Sequence, residues 1–146
     1  MAGVTTTYAA AFADLSWLAI GIATLAYYLL GALWFTPLLG AAWDTAIGHT
    51  RERGERFSAA YYVVPLVSSL LVTVAMAVLV GATGTEEPTD ALVLGLVVGL
   101  GIALAVSVNN ALTPHTPHPF RLGFITGGYH LLGIVAITLI VTTIAR

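Results

Sequence analysis

One histidine stands inside a long apolar run. His130 lies nine residues past Arg121, roughly 13 Å along a helix and so near the middle of a bilayer. Its helical neighbours are Gly123, Thr126, Gly127 and Thr138, a small and hydroxylic face that is expected to point into a bundle. An ionisable group at that depth is either a functional site or an imidazole that ties two helices together, worth about 1 kcal/mol. No Asp or Glu occurs in the apolar runs to stabilise a cation, so a neutral ring bonded to a hydroxyl on another helix is expected. Ser68, Ser69 and Tyr28 reach a similar depth from their own ends and could supply that hydroxyl. Asn109 and Asn110 fall near the boundary on the Arg121 side, level with Trp34, and their amides could cap freed carbonyls or line a shallow polar pocket. His130, Ser69, Tyr28, Asn109, Asn110 and Trp34 are therefore the candidate substrate-binding residues.

Other chemistry is poorly supplied. Pro114-His115-Thr116-Pro117-His118-Pro119 suggests a metal site, but on a polyproline II segment the two histidines stand about 9 Å apart along the axis. Zinc needs its nitrogens ~2.0–2.1 Å from one centre and usually four ligands, so a stiff turn with solvated histidines is the better reading. The cysteine count is 0, which excludes disulfides, thiolate metal sites and cysteine nucleophiles. There is no Ser/His/Asp set, phosphate loop, HExxH or buried carboxylate pair. No catalytic residue, cofactor or metal is expected, and an enzyme is a distant third among function classes.

The elements that must position these residues are plain in the composition. Hydrophobic residues make up 58% of the chain and charged residues 8%, against about 25% charged in a soluble domain. Four apolar runs, 15–36, 59–81, 91–113 and 122–144, lack Asp, Glu, Lys and Arg. At ~1.5 Å per residue each can cross a hydrocarbon core of about 30 Å. The fold class expected is an all-α integral membrane protein, a four-transmembrane-helix bundle forming one domain over 1–146. Small residues recur every four positions in the second run (Pro65, Ser69, Thr73, Ala77, Gly81), the third (Gly95, Gly99, Ala103, Ser107, Ala111) and the fourth (Gly123, Gly127). Such stripes let backbones approach closely in lipid, within a bundle or between copies, so a homo-oligomer, dimer or higher, is expected.

The connections set orientation. Arg51, Arg53, Arg56 and Arg121 lie in connections 37–58 and 114–121, whereas the other side carries Arg146 with Asp14, Glu86, Glu87 and Asp90. The positive-inside rule puts both termini outside and those two connections in the cytoplasm of a multi-pass cell-membrane protein. Leu38, Leu39, Trp43, Ala46 and Ile47 form either an amphipathic interfacial helix or an ordinary loop. Thr36-Pro37 and Thr113-Pro114 are plausible helix stops and a faint internal echo, consistent with two tandem hairpins or with chance. The net charge of −2 offers nothing for nucleic acid.

Two blocks carry a family resemblance. Gly31-Ala32-Leu33-Trp34-Phe35-Thr36-Pro37-Leu38-Leu39-Gly40-Ala41-Ala42-Trp43 resembles a Gly-x-x-Trp-Tyr-x-Pro-Leu-Phe-Gly-x-x-Trp pattern, with Phe35 and Leu39 as the departures. Asn109-Asn110-Ala111 and Phe124-Ile125-Thr126-Gly127-Gly128-Tyr129-His130 resemble the closing half of the same family. The family is domain of unknown function 1761, small bacterial membrane proteins, and the resemblance implies four helices and no settled activity. The lack of acids in the apolar runs and the polar residues at several depths, not the resemblance, make the expected function that of a transporter- or channel-like protein for a neutral or weakly polar solute. The rival is a non-enzymatic membrane component that binds lipid or a partner membrane protein. Membrane lipid, a second copy and a small neutral solute are the partners expected.

Overall fold

The structure, a computed structural model, describes residues 7–52 and 54–145. Arg53 and Arg146, which enter the charge argument above, lie outside the described residues. Helix α1 covers Tyr8–Ala13, α2 Trp17–Leu33, α3 Gly40–Ile47, α4 Ala60–Thr83, α5 Pro88–Val98, α6 Ala105–Ala111 and α7 Pro119–Ile144. Two π-helical segments, Trp34–Leu38 and Gly99–Leu104, extend α2 and join α5 to α6. The chain is an all-α protein with four helices long and apolar enough to cross a membrane: Trp17–Leu38, Ala60–Thr83, Pro88–Ala111 and Pro119–Ile144.

The element ends follow local chemistry. The Thr7 and Ser16 hydroxyls accept from the third backbone N–H beyond them and so cap α1 and α2. Pro88 and Pro119 start their helices, where a missing N–H costs nothing, so those spans begin earlier than the apolar runs alone imply. Gly48 and Gly84 close α3 and α4 in the left-handed region, at φ 73° and 63°. Pro37 does not stop the first span. The backbone widens instead, and the Leu39 N–H reaches the Trp34 carbonyl at 2.8 Å, five residues back. A π turn thus carries the helix past a residue with no N–H to give.

Helix α7 is the hub against which the other spans pack. The small-residue stripes of the third and fourth spans face each other. A Cβ on Gly95 would stand 2.9 Å from the Val135 Cα, one on Gly123 2.7 Å from the Val108 Cα, and one on Gly99 2.6 Å from the Leu131 Cδ1. Close backbone approach replaces apolar burial as the source of attraction, as lipid requires. The first and second spans meet α7 through Ile20, Ala23, Tyr27, Met76, Ala77, Val80, Ile134, Ile137 and Val141. Buried hydroxyls in this core turn back on their own helices: Thr73 donates to the Ser69 carbonyl and Thr138 to the Ile134 carbonyl.

Each end of the bundle has its own cover. At the end where α2 begins and α7 closes, α1 lies on α4, with Ala11 against Gly81. At the other end α3 is a formed helix, docked on the approach to α7 by the His118 N–H, which donates to the Ala46 carbonyl at 3.2 Å. Its one acid, Asp44, is buried and bound by Arg51 through both carboxylate oxygens, each at 3.0 Å. The Arg51 guanidinium in turn lies 5.3 Å over the Phe57 ring.

Candidate functional site

The site grows from one buried stripe on the first span. Ile20, Ala23, Thr24 and Tyr27 recur at helical spacing and are buried. Tyr27 is 2% exposed, and its ring fills the space left by Gly133 on α7. Its hydroxyl makes a short hydrogen bond with Nδ1 of His130. With the phenol donating, Nδ1 is the acceptor and Nε2 carries the ring proton. No hydrogen bond to Nε2 occurs among the described residues, and His130 is half-buried, not sealed.

Tyr129 completes the cluster. Its ring stacks on Tyr27 with centroids 4.9 Å apart, meets Phe35 edge-on at 5.2 Å and lies 4.8 Å from the His130 ring. Its hydroxyl donates to the Tyr27 carbonyl at 3.4 Å, and the buried Ser69 side chain of α4 neighbours it. The absence of a Cβ at Gly31 makes room for it: one built there would stand 3.0 Å from the Tyr129 hydroxyl. Trp34 borders the cluster. Its Nε1–H donates to the Ile125 carbonyl at 2.9 Å, while its ring passes 3.5 Å from the Cβ position of Gly128. The π segment Gly99–Leu104 packs against the same turn of α7, with Gly99 on Leu131 and Leu104 on Gly127. Single π turns within α-helices recur at functional sites, because they re-aim neighbouring side chains.

The candidate residues from sequence therefore separate. His130, Ser69 and Trp34 lie in or beside one cluster. Tyr28 is half-buried on the adjacent face of α2, with no side-chain hydrogen bond among the described residues, and Tyr27 holds the place at the imidazole. Asn109 and Asn110 are exposed on α6, and their amides make no hydrogen bond among the described residues. Ser68 is exposed, as are His115 and His118 in the turn before α7. Tyr27 and Tyr129 were missed. The available signal was the Ile20–Ala23–Thr24–Tyr27 stripe and the glycine one turn after it, Gly31.

Several of the residues that carried the family resemblance are brought together here. Gly31, Trp34, Phe35 and Trp43 come from the first block, and Ile125, Gly128, Tyr129 and His130 from the second. Residues 18–142 match a family described as a protein of unknown function, DUF1761. The chain belongs to the DUF1761 family. No curated protein and no solved structure matches it. In this DUF1761 chain the matched region takes in all of the cluster and stops short of α1.

A second feature is separate from the cluster. A cleft of about 550 Å³ opens between α1 and the close of α7, lined by Asp14, Ser16, Ala77, Thr85 and Thr142 among others. The Thr142 hydroxyl oxygen is buried there without a partner among the described residues. None of Tyr27, Tyr129, His130 and Ser69 lines this cleft.

Proposed function

We propose that this DUF1761 protein binds an uncharged, weakly polar molecule inside the membrane, at Tyr27, Tyr129, His130 and Ser69, as a small transporter-like protein. The observation that carries the reading is the half-open imidazole at mid-span. One nitrogen is tied to Tyr27, while the other has no hydrogen-bond partner among the described residues. An ionisable group at that depth is a functional-site hypothesis by default. The spans carry no Asp, Glu, Lys or Arg beyond those at their ends, which favours a cargo without charge. The charge asymmetry of the connections supports an orientation with both termini outside. The broad lipid-facing surface of the third span leaves room for a second copy.

Reconstituted protein tests the reading directly. Binding of short alkanols in nanodiscs, followed by tryptophan fluorescence, and their flux into proteoliposomes are expected to depend on residue 130. His130→Gln, which keeps a donor, should retain binding, and His130→Leu should lose it by about 3- to 10-fold, the worth of one hydrogen bond. Identical binding in wild type and a well-folded His130→Leu protein would remove the site from consideration.

A further inference from the structure

The cleft between α1 and the close of α7 differs in chemistry from the mid-span cluster. It holds about 550 Å³, within the ordinary range for small-molecule sites. The carboxylates of Asp14, Glu86 and Glu87 line it, and no described basic side chain does. Asp14 is exposed, and its carboxylate has no ion pair or hydrogen bond among the described residues. Thr142 is an independent sign of a ligand. It lines the same cleft and is only 3% exposed. Thr45, Thr73, Thr83, Thr138 and Thr143 each donate to the carbonyl four residues back. The Thr142 hydroxyl makes neither that bond nor any other among the described residues. A buried hydroxyl in that state is costly unless a molecule outside the chain completes it.

We propose that this cleft binds a primary alkylammonium ion, its N–H groups shared between the Asp14 carboxylate and the Thr142 hydroxyl. Charge selects the class. A carboxylate with no cation beside it favours a positive ligand, and a charge-assisted hydrogen bond is the stronger kind. A metal ion is the poorer occupant, because among the described residues no three acidic or histidine side chains stand close enough together to hold one. An ammonium spreads its contacts, since each N–H takes its own acceptor. The Thr142 oxygen can accept from a primary ammonium, whereas a quaternary one has no N–H to offer. Leu15, Val80 and Val141 also line the cleft and give a carbon chain an apolar wall. The same chemistry belongs to a free amine and to the ethanolamine head of a lipid, and the cleft lies where the apolar spans end, within reach of both. The site shares no residue with the Tyr27–His130 cluster and stands independently of the role given to it.

Binding of radiolabelled butylamine to the full-length protein in phosphatidylcholine nanodiscs tests the site. Saturable binding at neutral pH is expected. Unlabelled butylamine should compete, but neither butanol, which lacks the charge, nor tetramethylammonium, which lacks the N–H. Thr142→Val keeps the shape of the side chain and should weaken binding about 3- to 10-fold, the worth of one hydrogen bond, while Thr142→Ser should keep it. Asp14→Asn, at an exposed position that folding does not depend on, should weaken it about 10-fold. Replacing half of the lipid by phosphatidylethanolamine separates the two sources. Lowered butylamine binding makes the lipid head the occupant, unchanged binding makes it a soluble amine, and both support the site. Absence of saturable binding, equal competition by butanol or tetramethylammonium, or undiminished binding in Asp14→Asn overturns the proposal. Undiminished binding in Thr142→Val leaves only a general attraction of amines to an acidic surface and overturns it as well.

Discussion

Tyr27 and His130 act as one unit, so each can be tested through the other. Tyr27→Phe keeps the ring that fills the space at Gly133 and removes only the hydroxyl, leaving Nδ1 of His130 without its donor. Intramembrane hydrogen bonds of this kind are worth about 0.6–1.7 kcal/mol. Tyr27→Phe should lower stability by about 1 kcal/mol in reversible unfolding from detergent. Tyr28→Phe, on the neighbouring face, should change it little. Equal losses would mean that the short contact contributes nothing specific. That this level of α2 meets His130 was readable from the sequence, because rise along a helix is fixed. Azimuth was harder: successive residues differ by about 100°, and only the stripe of buried residues before Tyr27 separates it from Tyr28.

At the level of the elements, glycine position decides which faces can meet. Gly99 is pressed on Leu131, whereas Gly101, two residues on, has nothing within 4 Å of its Cβ position. Gly99→Leu should force the third span from α7 and reduce the folded yield severalfold, and Gly101→Leu should be tolerated. Size-exclusion profiles in mild detergent would measure both, and parity between them would mean that this face does not hold the spans together. The four-residue stripes on the third and fourth spans made this contact legible in advance. The two π turns were not, because residues such as Leu, Ile and Ala suit either helix and only the tertiary setting selects the wider one. Likewise residues 60–68 of α4, all exposed, have the apolar composition of a packed stretch, since lipid and protein interior ask for the same side chains.

For the whole molecule, orientation is the first quantity to fix. The protein has no native cysteine, so single cysteines at Thr50 and Thr85 report without background. An impermeant maleimide should label Thr85→Cys from outside intact cells and Thr50→Cys only after permeabilisation; the reverse pattern would invert the topology. The architecture also bears on how the protein is made. The helix on which the other spans lean follows all of them in the chain. Until α7 inserts, Gly95 and Gly99 have no surface to meet, and the third span sits in the bilayer without its partner. Completion of the bundle therefore waits for the fourth span. A chain ended after His118 should insert yet be degraded faster than the full protein in a pulse-chase, and co-expression of 119–146 as a separate segment should restore its lifetime. The bundle is in this sense proofread by its fourth span: without it, the glycine face of the third has nothing to hide against.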